Sequence, residues 1–264
     1  MSDDLPVSPG IHQSVAASIA TLTVTHPPVN ALTPDLLHEL DGLLDDIRND
    51  QSIKIIVLTG AGRVFVAGAD LHVLAGLITS RKGIDFAQLG QTVFNKLENF
   101  EKPIIAAING ACLGGGLELA MCCHFRLAAE DAQLGQPEIN LGLIPGFGGT
   151  QRLPRFIGMT KAMEMILTGD PISAQEARTL GLVSQIFSPD NLMAQADGLA
   201  RRIVSKGQLA MQATLHAVRA SREMELSKGL ALEAKLFGNL CESDDAKEGL
   251  TAFLEKRQPR FNDR

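Results

Sequence analysis

In two stretches of this chain, IKIIVLTG (53 to 60) and KPIIAAING (102 to 110), apolar residues run on continuously instead of alternating with polar ones. Strands that read this way are buried on both faces, so the sheet they form has to be covered on both sides. Between the strand-like SIATLTVT (18 to 25) and the first of these stretches lies a helical pattern. Thr33 can cap it, Pro34 suits its first turn, and Leu36, Leu40, Leu43, Leu44 and Ile47 fall on one stripe. Strand, helix, strand in this order predicts an α/β layout.

Further along, FRLAAEDAQLGQPEI (125 to 139) reads as two short strands and a turn, and the Gly-rich LGLIPGFGGTQRLPRFIG (141 to 158) as an ordered loop. Residues 73 to 97 also read as loop packing. Ser173 and Glu176 have capping-box spacing ahead of a short helix that Gly181 can end, and the strand-like LVSQIF (182 to 187) follows. Strand signals stop near residue 190. Helical patterns at 209 to 224, 226 to 242 and 244 to 257 fill the rest. With 264 residues, the expected organisation is an α/β core over 1–190 and an all-helical region over 191–264.

Composition removes several functions. The formal charge of -6 argues against duplex nucleic acid or an anionic membrane as the main partner, since both require a positive field. No apolar run approaches the roughly 18 residues of a membrane span, and the first ten residues, MSDDLPVSPG, are acidic with no apolar signal core. A cytoplasmic protein is expected. Its four cysteines, Cys112, Cys122, Cys123 and Cys241, lack CxxC spacing and read as free thiols, and its six histidines form no metal-ligand cluster. Without Trp or Tyr, no mechanism can rely on a phenol or an indole.

The segment best suited to chemistry is Gly114-Gly115-Gly116-Leu117-Glu118, directly after the second apolar strand and its Asn109-Gly110 turn. Glycines that open a helix leave first-turn N–H groups unpaired and let a ligand oxygen come close, while the helix dipole favours negative charge there. This describes an oxyanion site. Glu118, about one turn in, sits among glycines and apolar residues, where its pKa should be raised to a value useful for proton transfer near neutrality. Alternatively the same residues are a helix start with a favourable acidic side chain. Glu138, ahead of the Gly-rich stretch, is a second candidate that on its own reads as an ordinary loop carboxylate.

Taken together, PPVNALT (27 to 33), LTGAGRVFVAGADL (58 to 71), KPIIAAINGACLGGGLELAM (102 to 121), LGQPEINLGLIPGFGGTQRLPRFIG (134 to 158), LTGDPISAQEARTLGLVSQIF (167 to 187) and EGLTAFLEKR (248 to 257) resemble the enoyl-CoA hydratase/isomerase, or crotonase, superfamily, in particular its two-glutamate hydratases. The resemblance implies a spiral of strand-strand-helix units and a helical C-terminal region that packs against neighbouring subunits in a homo-trimer or hexamer. It implies hydration of a 2-enoyl-CoA in lipid or fatty-acid metabolism, with coenzyme A as part of the substrate and no separate cofactor or metal. The oxyanion hole would be the N–H groups of Ala69 and Gly115. Glu118 would deprotonate a water that attacks the β-carbon, and Glu138 would protonate the α-carbon.

By the same resemblance, Ala67, Ala69, Asp70, Leu71, His72 and Gly114 would contact the substrate, with Phe237, Phe253 and Lys256 contributed from the C-terminal helices. His72 stands where many relatives have a lysine, and His124 where they have an aspartate; His124 reads as a satisfied structural histidine. Cys122 and Cys123 read as buried thiols, Asp70 as a turn-fixing residue, and Arg152 and Arg155 as locally paired or solvated groups, with a structural role holding the Gly-rich loop as the alternative. Met159, Met163 and Met165 read as core filling beside the acyl pocket. A double-bond isomerase and a non-catalytic scaffold or RNA-binding homologue remain the alternatives; the second glutamate favours water addition over the first, and the acidic charge disfavours RNA.

Overall fold

The computed structural model describes residues 8–264, so most of the acidic leading segment read above, residues 1–7, lies outside the described residues. The strands β1 (Gly10–Ala16) and β2 (Ile19–Thr25) form an antiparallel hairpin, followed by α1 (Pro34–Asn49), β3 (Ile55–Gly60) and β4 (Val64–Val66). Next come α2 (Leu71–Ser80), α3 (Gly83–Glu98), β5 (Ile104–Ile108), β6 (Ala111–Leu113) and α4 (Gly115–Cys122). The strands β7 (Phe125–Ala129) and β8 (Gln133–Gly135) lead through a 3-10 turn (Pro137–Leu141) to α5 (Gly149–Ile157) and α6 (Met159–Thr168). After β9 (Ile172–Ser173), α7 (Ala174–Thr179) and β10 (Gln185–Phe187), only helices remain: α8 (Pro189–Val204), α9 (Gln208–Ala220), α10 (Leu226–Cys241) and α11 (Asp244–Leu254).

Two sheets share these strands. The large one has the order β1-β2-β3-β5-β7-β10 and is parallel from β2 onward; the small one has the order β4-β6-β8-β9. Each consecutive pair therefore splits. β3, β5 and β7 enter the large sheet, their successors β4, β6 and β8 enter the small one, and helices follow, which is the strand-strand-helix spiral. Every residue of β3 and β5 is buried, as their unbroken apolar runs require. Helix α8 covers the large sheet with Leu192, Ala196 and Ala200, and the small size of the two alanines lets the helix approach closely.

Local signals act where the sequence places them. Thr33 Oγ1 accepts the Leu36 N–H at 3.2 Å, and α1 buries Leu36, Leu37, Leu40, Leu44 and Ile47. Ser173 caps α7 by accepting the Glu176 N–H at 3.2 Å. Two expectations are corrected. Residues 73 to 97 form most of α2 and α3 instead of a loop, and the Gly-rich stretch holds a regular element, α5, despite Pro154 within it. Both are tertiary effects: α3 buries Phe86, Val93, Phe94 and Leu97, and α5 is fixed by charged groups at its start.

One close approach ties the small sheet to α4. A Cβ built on Gly116 would lie 1.9 Å from the Val66 carbonyl oxygen, a backbone atom with no room to move, so β4 and α4 touch only because residue 116 has no side chain. Gly116→Ala should therefore cost about 1–3 kcal/mol of stability in urea denaturation, typical of overpacking. Gly198→Ala is the control: it sits mid-helix in α8 with nothing within 4 Å, and should gain about 0.5–1 kcal/mol. Equal effects at the two positions would contradict the close packing.

Candidate active site

The turn between β4 and α2 is zipped to the segment that precedes α1. Ala67 N–H donates to Val29 O (3.1 Å), Leu32 N–H to Gly68 O (2.8 Å) and Asp70 N–H to Leu32 O (2.9 Å). Ala69 N–H is skipped by this zipper and, among the described residues, has no acceptor. Asp70 caps α2, accepting from the N–H groups of His72 (2.8 Å) and Val73 (3.0 Å); the Val73 bond chiefly holds its carboxyl below the usual range. Asp70 thus fixes the turn and does not face the cavity described below.

The second turn leads from β6 into α4. Gly114 N–H donates to Gly135 O at 2.9 Å, and α4 then begins without a side-chain cap, leaving Gly115 N–H without an acceptor among the described residues. The two turns lie side by side, since a Cβ built on Gly68 would stand 4.0 Å from the Gly115 nitrogen. Two unpaired donors thus come from segments distant in sequence, and both Ala69 and Gly115 line one cavity of about 600 Å³.

The carboxyl groups of Glu118 and Glu138 line the same cavity. Glu118, on the first turn of α4, is 1% exposed, and its Oε1 accepts from Phe147 N–H (2.8 Å) and Gly149 N–H (2.6 Å). Burial raises its pKa to about 8; the Gly149 and Phe147 amides and the Arg152 charge pull it down, while the Glu138 charge pushes it up. Glu138, half-buried in the 3-10 turn, is raised to about 7, again by burial. Its Oε1 lies 2.8 Å from where a Gly114 Cβ would be, so it hangs over the turn that leads into α4. The buried Gln136 amide lies 3.1 Å from both Glu138 oxygens and donates to them when its NH2 is turned that way. Near neutral pH the two carboxyls therefore hold both an acid and a base.

Of the residues singled out in the sequence, Ala67, Ala69, Leu71, Gly114, Gly115, Glu118 and Glu138 line the cavity. His72 and Lys256 are exposed and outside its wall. Phe237 and Phe253, 68% and 79% exposed, are also outside it, because α10 packs against α9 and α11 instead of over the cavity. The remaining wall is mostly apolar and was missed: it includes Leu74 and Leu77 of α2, Phe86 of α3, and Leu141, Leu143 and Phe147, with Arg81 and Asn140 as its polar members. The stripe Leu71, Leu74, Leu77 and Ile78 at helical spacing was the available signal for the α2 part.

The other candidates have structural settings. His124 Nδ1 accepts Ile104 N–H at 2.9 Å, and burial lowers the imidazole pKa to about 4; its enclosed Nε2 has no partner, so the expected satisfied histidine is only half satisfied. Cys122 and Cys123 are buried thiols, the latter pushed up to about 12, which removes them as nucleophiles. Met165 is buried, Met159 and Met163 are exposed, and none lines the cavity. No cluster of His, Cys, Asp or Glu able to hold a metal ion occurs among the described residues.

The sequence profile of the enoyl-CoA hydratase/isomerase family matches residues 14–264. A probable enoyl-CoA hydratase of Bacillus subtilis is 47% identical over 253 residues, covering 95% of this chain and 98% of that one. A crotonyl-CoA hydratase of Syntrophomonas wolfei is 43% identical over 245 residues, covering 92% and 94%. The crystal structure of an enoyl-CoA hydratase from Bacillus anthracis superposes with a TM-score of 0.91 at 38% identity, covering 96% of this chain and 99% of that one.

The buried carboxyl of Glu118 has a consequence for stability that needs no substrate. Its folded-state pKa of about 8 lies above the ordinary 4.5, so the folded protein binds the proton more tightly than the unfolded chain does. The stabilisation is complete below the ordinary value and is lost as pH rises toward the folded one. Glu118→Gln keeps an acceptor oxygen for Phe147 and Gly149 but cannot ionise. Its Tm relative to the parent should rise steadily between pH 5 and pH 8.5; a pH-independent difference would rule out a protonated, buried Glu118.

Proposed function

The chain belongs to the enoyl-CoA hydratase/isomerase family and is an enoyl-CoA hydratase, and we propose that it adds water syn across the double bond of a 2-trans-enoyl-CoA through an enolate held by Ala69 and Gly115. The supporting observation is that two unpaired N–H groups and two carboxyls with raised pKa face the same cavity. The thioester oxygen accepts from both N–H groups. Water attacks the β-carbon and loses a proton to Glu118, negative charge collects on the thioester oxygen, and Glu138 gives its proton to the α-carbon.

At the end of this sequence Glu118 carries the proton and Glu138 is ionised, so transfer between the pair, directly or through water, restores the starting state. Dehydration runs the same steps backward. Each fixed donor is worth about 3–4 kcal/mol of transition-state stabilisation, the loss seen when one is removed from other oxyanion holes. The chemistry calls for no resident cofactor, because the amides supply the electrostatic stabilisation and the glutamates move the protons.

The C-terminal helices fit a role between copies of the chain. Leu226, Phe237, Leu250 and Phe253 are large, apolar and exposed on α10 and α11, a face that a homo-trimer or hexamer would cover. In such an assembly residues 191–264 form the oligomerisation region, and Phe237, Phe253 and Lys256 can approach the nucleotide end of bound CoA, as can His72. No helix among the described residues is long and apolar enough to cross a membrane. Four free cysteines suit a reducing compartment, which supports the cytoplasm.

Mixing the protein with crotonyl-CoA should bleach the ultraviolet absorbance of the conjugated thioester; no change with either short or medium acyl chains would reject the activity. Glu138→Gln should lower kcat by at least ~100-fold with an unchanged urea midpoint, and near-parental turnover would remove Glu138 from the reaction. The kcat/KM profile of the parent should be bell-shaped and centred between about 7 and about 8, failing in acid when both carboxyls are protonated and in alkali when both are ionised. Sedimentation at micromolar concentration should show an oligomer, and a monomer would contradict the assigned role of α10 and α11.

A further inference from the structure

We infer that Arg152 is a positioning residue for Glu118: it grips the loop whose amides hold the Glu118 carboxyl and so sets where that carboxyl meets water and substrate. The inference rests on the hydratase reading for its assay, but the geometry behind it is independent. Arg152 sits in α5, is 8% exposed, and does not line the cavity.

Its guanidinium bridges two elements. Nη1 donates to the Phe147 carbonyl at 2.9 Å, on the loop. Nε donates to Glu98 Oε2 at 2.8 Å, and Nη2 reaches Asn95 Oδ1 at 2.6 Å and Glu98 Oε2 at 2.7 Å, all on α3. Phe147 is therefore held at both ends of one residue, its carbonyl by Arg152 and its N–H by Glu118. Gly149 N–H, the other donor to Glu118, lies two residues on and opens α5.

Gly148, between the two donors, is shaped by the same arginine. Its φ of 113° lies in the left-handed region, and a Cβ built there would stand 2.2 Å from Arg152 Nη1. The guanidinium fills the space a side chain would take. With the backbone in this conformation, the N–H groups at 147 and 149 both reach Glu118 Oε1. The Phe147 ring is itself fixed edge-on against Phe86 and Phe94 of α3, at centroid distances of 5.1 and 5.4 Å. The loop thus has little freedom once Arg152 is in place.

Arginine is suited to this task and lysine is not, since only a planar fork can reach the loop carbonyl and the two α3 side chains together. The charged groups around the Glu118 carboxyl are Glu138 from the 3-10 turn, Arg152 from α5, and, behind Arg152, Glu98 from α3. Glu118 has the higher pKa of the pair, and removing the Arg152 charge removes a group that favours its ionised form, so the alkaline limb, where the pair loses its last proton, must move to higher pH.

The test compares the full-length protein with Arg152→Gln, Arg152→Lys, Asn95→Ala and Glu98→Gln, using crotonyl-CoA. Arg152→Gln should lower kcat by about 100-fold, the cost of a misplaced catalytic group, with little change in KM and with the alkaline limb of the profile at higher pH. Arg152→Lys should restore the alkaline limb but not kcat, which separates charge from placement. Asn95→Ala and Glu98→Gln loosen the anchor without removing the arginine, and should lower kcat at unchanged KM even if Arg152→Gln fails to fold. Parental kcat in both anchor variants, or a loss in Arg152→Gln that tracks only the folded fraction with an unmoved alkaline limb, overturns the inference. If the parent itself fails to hydrate crotonyl-CoA, the hydratase reading fails instead, so the two failures are distinguishable.

Discussion

A carboxyl group enclosed in protein, as Glu118 is, must be either neutral or compensated, and the rest of this site is arranged around that requirement. The two amide donors from residues 147 and 149 and the nearby arginine favour the ionised form, while burial and the neighbouring Glu138 oppose it. The balance leaves the group within reach of neutral pH. A carboxyl at the surface would be fully ionised there, with too weak a hold on a proton to act as an effective base. The same enclosure strengthens the oxyanion donors, because an N–H group aimed at a developing charge is worth more where water is excluded.

The spiral fold delivers this arrangement through the starts of three helices. The N-termini of α2, α4 and α5 follow the turns at Asp70, Gly114 and Gly148, and each meets the cavity or a group that lines it. Asp70 caps α2 from within the chain, and the Glu118 carboxyl accepts the first N–H of α5. Only α4 is left without a side-chain cap, so its first N–H stays unpaired beside the cavity, where the proposed reaction uses it. The small sheet matters because β4, β6 and β8 run parallel and bring the turns that follow them to one edge. The contact between Gly116 and Val66 sets how closely the first of these strands meets α4.

How much of this could be read from the sequence depended on whether the governing interaction was local. The buried strands β3 and β5 follow from unbroken apolar runs, and α1 and α7 from caps three residues away from their targets. Glu118 stood out because its glycine neighbours lie beside it in the chain. Glu138 did not, since Gly114 meets it only after β6 pairs with β8. Helix α5 was hidden for the same reason: a Gly-rich stretch with an internal proline is a poor helix former on its own, and the groups that stabilise it come from α3 and α4; a hold of Arg152 on this loop could be read only as an alternative, without its partners on α3 or its link to Glu118. The C-terminal aromatic residues are legible as apolar and exposed, but a single chain does not bring them to the cavity wall.

The opposite wall of the cavity separates binding from chemistry. Helix α2 has no fully buried residue; its apolar stripe faces the cavity, and Ile78, Ile84, Leu141 and Ile144 remain largely exposed around it. A helix with this much wet apolar surface gains little from the core it leans on. An acyl chain laid along it would cover that surface at about 0.8 kcal/mol per methylene. None of this energy depends on the charge that forms at the thioester oxygen, so it is the same in ground and transition states and lowers KM without raising kcat. In the proposed reaction turnover is left to the polar end, where two amides, two carboxyls and the loop gripped by Arg152 would act on the reacting carbons and the thioester oxygen. Changes in the α2 wall should therefore alter which chains are accepted, and changes beneath Glu118 how fast any of them react.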